Sequence, residues 1–150
     1  MGHYFPQVNA MFTTASLQGL PCEMTFEVVE SRVVADDAEQ IAVTVQNWCD
    51  NADLAADVVF TAGGTGFGPR DGTPEAVRPL LTREAPGLVH AMLCAAEQST
   101  AHRLGLLSRP VVGTRGRTLV ATLPGSPTAA TQQLAALGPF LPRIVSLIRS

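Results

Sequence analysis

Apolar positions along this chain follow two rhythms, and each change of rhythm marks an element. Residues Thr25–Val34 alternate apolar and polar through Phe26 and Val28 to Val33-Val34, which predicts a strand. It ends at Ala35-Asp36-Asp37, where either aspartate can cap a helix. The rhythm then turns helical, with Ile41, Val45 and Trp48 on one face. Asp57–Phe60 is a short β-branched and aromatic run, the mark of a buried strand. Thr73-Pro74-Glu75 reads as N-cap, first-turn proline and an acid placed well for the helix dipole. That helix turns Val77, Leu80 and Leu81 inward, and Pro79 within it predicts a kink or an early stop.

After Pro86-Gly87, Leu88–Gln98 is helical and almost wholly apolar, so it is expected to be covered by the sheet or by another subunit. Val111-Val112 and Thr118–Thr122 flank Gly113-Thr-Arg-Gly-Arg117 and predict an antiparallel hairpin. Ser126 and Pro127 open a further helix that runs to about Leu137 and stops at Gly138-Pro139, and an amphipathic helix follows. Residues 1–24 show no period. Asn9–Thr14 could form a strand, while Pro6, Gly19 and Pro21 break up the rest. Strands alternating with helices predict an α/β three-layer α/β/α sandwich over residues 25–150, preceded by a poorly specified segment at 1–24.

Composition sharpens this reading. Apolar residues make up 46% of the 150-residue chain and charged residues only 15%, against about 25% in an average domain. So sparse a charge supply predicts that part of the surface is covered in an oligomer. A net charge of −3 with scattered arginines argues against a nucleic-acid footprint, and no apolar run approaches a membrane span. Cys22, Cys49 and Cys94 are odd in number and far apart, which suits reduced thiols and a cytoplasmic location.

The chemistry gathers in Thr61-Ala-Gly-Gly-Thr-Gly-Phe-Gly-Pro-Arg-Asp-Gly-Thr-Pro-Glu75, between the strand at Asp57–Phe60 and the helix after it. Ligands of open α/β sheets bind in such loops, at the carboxyl ends of strands. Gly63, Gly64 and Gly66 let backbone N–H groups approach an anion. Thr65 adds a hydroxyl, Arg70 a cation and Asp71 a carboxylate. A P-loop is excluded because the chain has no lysine, and Gly64-x-Gly66-x-Gly68 is not the dinucleotide fingerprint.

These residues carry a resemblance. Thr61–Glu75, Arg83–Gly87, Leu107-Ser-Arg-Pro-Val111 and Leu123-Pro-Gly-Ser-Pro127 are similar to stretches of the molybdopterin adenylyltransferase family, which includes the bacterial Mog type and the gephyrin G domain. The resemblance covers roughly Thr25 to Ser150. It implies a mostly parallel sheet with one antiparallel strand, assembled as a trimer. It also implies transfer of AMP from ATP to molybdopterin with Mg²⁺. Asp71 matches the loop aspartate of the family and Asp36 an aspartate of its Pro-Asp-Glu segment, so the two are the implied catalytic and Mg²⁺-binding pair. Gly63, Gly64, Thr65, Gly66, Arg70, Thr73, Glu75, Ser108, Arg109, Gly125 and Ser126 are the implied ligand-binding residues. Of these, Ser108-Arg109 offers a hydroxyl and a planar fork, and Gly125-Ser126 a helix amino terminus, to phosphate.

The chain departs from the family at Ala35, Asp37 and Thr128, where proline, glutamate and lysine are usual. It also lacks the Ser-Asp pattern of the family's first strand, so that strand and its helix are expected to be missing. A molybdate-insertion partner or fused domain is a further implication. A non-catalytic trimerisation or scaffold module, or an inactive fragment of a gephyrin-like protein, is the alternative reading.

Overall fold

The computed structural model describes residues 25–99 and 103–150. Four strands form one sheet: β1 (Val58–Ala62), β2 (Arg83–Glu84), β3 (Val112–Arg115) and β4 (Thr118–Leu123), in the spatial order β1-β4-β3-β2. β1 and β4 run parallel, from Val58 opposite Leu119 to Ala62 opposite Leu123. β3 is antiparallel to both β4 and β2, so it alone opposes the other three strands. The sheet is therefore mostly parallel with one antiparallel strand, as expected.

Alternation along the central strand builds the layers, because successive side chains leave opposite faces of a strand. Leu119, Ala121 and Leu123 of β4 point into one core, and Val120 points into the other. The first core is closed by α3 (Pro86–Gln98), α4 (Pro127–Leu137) and α5 (Leu141–Arg149), through Met92, Ala130, Leu134, Leu137 and Leu141. The second is closed by α1 (Ala38–Asp50) and α2 (Thr73–Val77), through Val45 and Val77, with Ile41 and Trp48 alongside. Helices on both faces of the sheet make the three layers.

Local signals explain most boundaries. Asp37 is the N-cap of α1, and its carboxylate accepts from the Gln40 N–H at 2.9 Å, which leaves Asp36 free of that role. Pro79 does end its helix early: α2 stops at Val77 and tightens into a 3₁₀ turn at Arg78–Leu80. The β3–β4 hairpin turns at Gly116-Arg117, and Gly116 has φ +54°, the left-handed value that primed hairpin turns require. Two bidentate ion pairs tie distant elements together. Arg115 of the hairpin grips Asp50 at the end of α1 (2.9 and 2.7 Å), and Arg149 of α5 grips Asp57 before β1 (2.6 and 2.5 Å).

Several expectations are corrected. Thr25–Val34 is not a strand: no ladder forms along it, and most of it is exposed. Alternation is only a capacity for pairing, and among the described residues no edge pairs with this run. Gly72, not Thr73, is the N-cap of α2, so Thr73 and Pro74 lie in its first turn. α3 begins at Pro86, before the expected Leu88, because proline at the first helical position starts a helix rather than ending one. Only Met92 and Ala96 of α3 are fully buried, and its other apolar side chains are half-buried. The expectations for residues 1–24, including a strand at Asn9–Thr14, lie outside the described residues.

Candidate functional site

At the carboxyl ends of β1 and β4 the two chains leave the sheet side by side, and the Gly63 N–H still donates to the Leu123 carbonyl (3.0 Å). The chain after β1 becomes the glycine-rich loop, and the chain after β4 becomes Pro124-Gly125-Ser126 and the amino terminus of α4. The two loops lie so close that a Cβ on Gly125 would stand 3.4 Å from the Gly63 Cα. Gly63 and Gly64 take φ +98° and +65°, which other residues rarely adopt. A Cβ on Gly64 would also stand 2.4 Å from the Thr73 Oγ1. Here glycine is required twice over, by conformation and by space.

A cavity of about 380 Å³ opens between these loops, a size that suits a small organic ligand. Gly64, Thr65, Gly66 and Asp71 line it from one side, Gly125, Ser126 and Ala129 from another, and Leu104, Gly105, Leu107 and Ser108 from a third. Thr65 and Ser108 are buried, and their hydroxyls share a hydrogen bond of 2.8 Å. One hydroxyl must donate to the other, so the accepting hydroxyl keeps its own proton to offer elsewhere. Ser126 is the N-cap of α4, yet its hydroxyl makes no cap bond. It is thus available at a helix amino terminus, where unpaired N–H groups and the dipole favour an anion.

Asp71 is half-buried at the loop's far end. One carboxylate oxygen accepts from the Gly68 N–H (2.8 Å), and the Asp71 N–H returns a bond to the Gly68 carbonyl (3.0 Å). The other oxygen has no partner among the described residues. Asp36 lines a second cavity, of about 500 Å³, together with Thr61, Gly63 and Thr73. Gly63 lines this second cavity and Gly64 the first, and among the described residues no hydrogen bond joins the two aspartates. Among the described residues no three acidic, histidine or cysteine side chains gather into a metal cluster.

Arg109 lies differently from the phosphate-facing fork implied for it. Its Nε donates to the Gly66 carbonyl (3.0 Å) and one Nη to the Asp71 carbonyl (3.1 Å), while both Nη atoms grip the Glu75 carboxylate. The guanidinium also lies 5.4 Å from the centre of the Phe67 ring. The hydrogen bond from Arg109 holds the Glu75 carboxyl below the usual glutamate range. Arg70 is exposed and lines neither cavity, and Thr73 is buried behind Gly64. Leu104, Gly105, Leu107, Pro124 and Ala129 also line the cavity, although they are not among the residues that the resemblance implies. The first three belong to a 3₁₀ turn at Arg103–Leu107 that carries no legible period.

A family described as "Probable molybdopterin binding domain" matches residues 9–143. The chain belongs to that family. It is 42% identical over 119 residues to gephyrin of Dictyostelium discoideum, covering 79% of this chain and 16% of that one. It is 33% identical over 128 residues to the molybdopterin adenylyltransferase of Helicobacter pylori (strain J99), covering 85% and 68%. Among solved structures it resembles the molybdopterin biosynthesis enzyme MoaB of Thermus thermophilus with a TM-score of 0.81 and 39% identity, covering 98% and 87%. The chain spans only 16%, 19% and 33% of the length of three curated relatives, namely that gephyrin, the Drosophila protein cinnamon and a bifunctional protein of Chlorobaculum tepidum.

Proposed function

We propose that the chain acts in molybdenum cofactor biosynthesis as a molybdopterin adenylyltransferase domain, moving AMP from ATP to molybdopterin and releasing pyrophosphate. The observation that carries this reading is the convergence of three loops on one 380 Å³ cavity: Gly64–Gly66 with Asp71, Ser108, and Gly125-Ser126 at a helix amino terminus. The Helicobacter relative of that name, similar over 85% of this chain, supports it.

In this reading the backbone N–H groups of the glycine loop and the start of α4 receive phosphate oxygens. The Thr65–Ser108 pair donates the proton it does not use internally. The acceptor oxygen of molybdopterin bonds to the α-phosphorus of ATP as the bond to the β-phosphate oxygen breaks, and pyrophosphate leaves. Such transfer needs positioning and neutralisation of phosphate charge more than covalent help from the protein. Mg²⁺ commonly binds through one or two carboxylates together with substrate phosphates, so the unpartnered oxygen of Asp71 would suit it, whereas Asp36 lines the other cavity and is offered as a second ligand by the resemblance alone. When bound, the ion neutralises phosphate charge.

Incubation with molybdopterin, ATP and Mg²⁺ should yield adenylylated pterin and pyrophosphate, followed by chromatography. Asp71→Asn should lower the rate by roughly 100-fold, as loss of a group that stabilises developing charge does, with an unchanged circular dichroism spectrum. Full Mg²⁺-dependent turnover by that variant would remove Asp71 from the mechanism. Asp36→Asn should slow transfer without loosening α1, since the cap is Asp37.

A further inference from the structure

Two carbonyls of the glycine loop and a carboxylate of α2 converge on one cation. The Gly66 carbonyl, the Asp71 carbonyl and the Glu75 carboxylate all accept from the Arg109 guanidinium, and Phe67 lies against it. The backbone N–H of Arg109 donates to the Thr65 carbonyl as well (2.9 Å). One residue thus holds the loop at Thr65, Gly66, Phe67, Asp71 and Glu75. Without a positive charge among them, these acceptors would face one another unpaired and repel. The guanidinium occupies the place that a structural cation would take in an oxygen-lined loop. It is about one-third exposed, whereas the carboxylate that holds it is mostly exposed.

We propose that Arg109 and Glu75 are positioning residues, which hold the glycine loop in the shape that binds phosphate, and that Arg109 does not itself serve as the phosphate-binding fork. This rests on the adenylyltransferase reading only for the identity of the ligand. The shape of the loop is a property of the protein alone. Lysine cannot replace the fork, because a single ammonium cannot reach two carbonyls and both oxygens of a carboxylate in the required planes.

The sign of one substitution separates the two roles. Glu75 places a negative charge near an anion site. If Arg109 met the phosphate directly, Glu75→Gln would free the fork, remove a repelling charge and tighten binding. If the pair positions the loop, the same change loosens the loop and weakens binding. The experiment measures the Kd for Mg-ATP by calorimetry and amide hydrogen exchange over residues 64–72, on the full chain, for the wild type, Glu75→Gln, Arg109→Lys and Arg109→Ala. We expect Glu75→Gln and Arg109→Lys each to weaken binding roughly tenfold, the scale of one lost charge-assisted hydrogen bond. Exchange at 64–72 should quicken to a similar extent while β4 amides stay protected.

Added guanidinium at millimolar concentration, below its denaturing range, should restore protection to Arg109→Ala and leave the wild type unchanged. Tighter or unchanged Mg-ATP binding by Glu75→Gln, with unaltered exchange, would overturn the proposal. If the wild type does not bind Mg-ATP, the reaction assigned above fails, and the exchange and rescue results still decide the role of the clamp.

Discussion

Single residues here have measurable consequences whose sign follows from their surroundings. The Glu75 carboxyl is held below the usual glutamate range by Arg109. An acid with a depressed folded-state pKa contributes stability above its unfolded value of about 4.3, and this is lost as pH falls through the folded value. Exchange protection of the loop should therefore persist as pH falls to about 4.3 and fail only below it. Solvent screens this exposed pair, so the global melting temperature should barely register the event. Protection lost near neutral pH would contradict the assignment. Cys49 shows the opposite shift: burial pushes its thiol up to about 11, while Cys94, also half-buried, lies on α3 with its sulfur 3.4 Å from the His90 Nε2. Because the thiolate is the nucleophile, iodoacetamide at mildly alkaline pH should label Cys94 well before Cys49, as read by peptide mass mapping. Gly64→Ala combines a left-handed φ with a Cβ driven onto Thr73. It should cost at least about 1 kcal/mol in urea unfolding, the price of that backbone region alone.

Elements show which features were legible and which were not. Asp37, Pro79 and the Gly116 turn act through their immediate neighbours, so the start of α1, the early end of α2 and the hairpin could be read from sequence. Two-residue β2 is too short to carry a period, and it exists because the Ala85 N–H and the Thr82 N–H meet the β3 carbonyls of Val112 and Thr114. The grouping of the Gly64, Ser108 and Ser126 loops into one site was implied by the family resemblance, whereas the destination of Arg109 was not legible. Sequence says what a guanidinium can hold, and only the fold says which oxygens arrive. The two helix caps make a contrast that can be measured. Asp37→Ala should destabilise by about 1 kcal/mol, the usual value of a working cap. Ser126→Ala should cost almost nothing in stability, since its hydroxyl makes no cap bond, and should instead weaken Mg-ATP binding. Gln133, fully buried in α4, has no partner among the described residues for either amide atom. An unsatisfied buried polar group costs about 1–3 kcal/mol, so Gln133→Met, similar in volume and apolar, should raise the melting temperature.

At the scale of the whole molecule, the two cores leave a group of large apolar side chains exposed. Leu104 is 79% exposed, Phe67 75%, Leu107 54% and Leu106 44%, and the apolar side chains of α3 other than Met92 and Ala96 are only half-buried. Scattered apolar side chains are ordinary on a protein surface, but contiguous ones mark an interface. Leu104, Leu106 and Leu107 share one 3₁₀ turn that packs on α3, so they extend its exposed flank. With charged residues at 15% of the chain, little polar cover is available to keep such a surface in water. We therefore expect self-association, with a trimer as the state implied by the family resemblance. Leu106 is the informative position, because Leu104 and Leu107 also line the cavity and Leu106 does not. Light scattering at micromolar concentration should give about three times the chain mass for the wild type. Leu106→Glu, which places a charge on that flank, should give the mass of one chain with an unchanged circular dichroism spectrum. A wild type already at the mass of one chain would reject the assembly. A variant that stays trimeric would move the interface away from this turn.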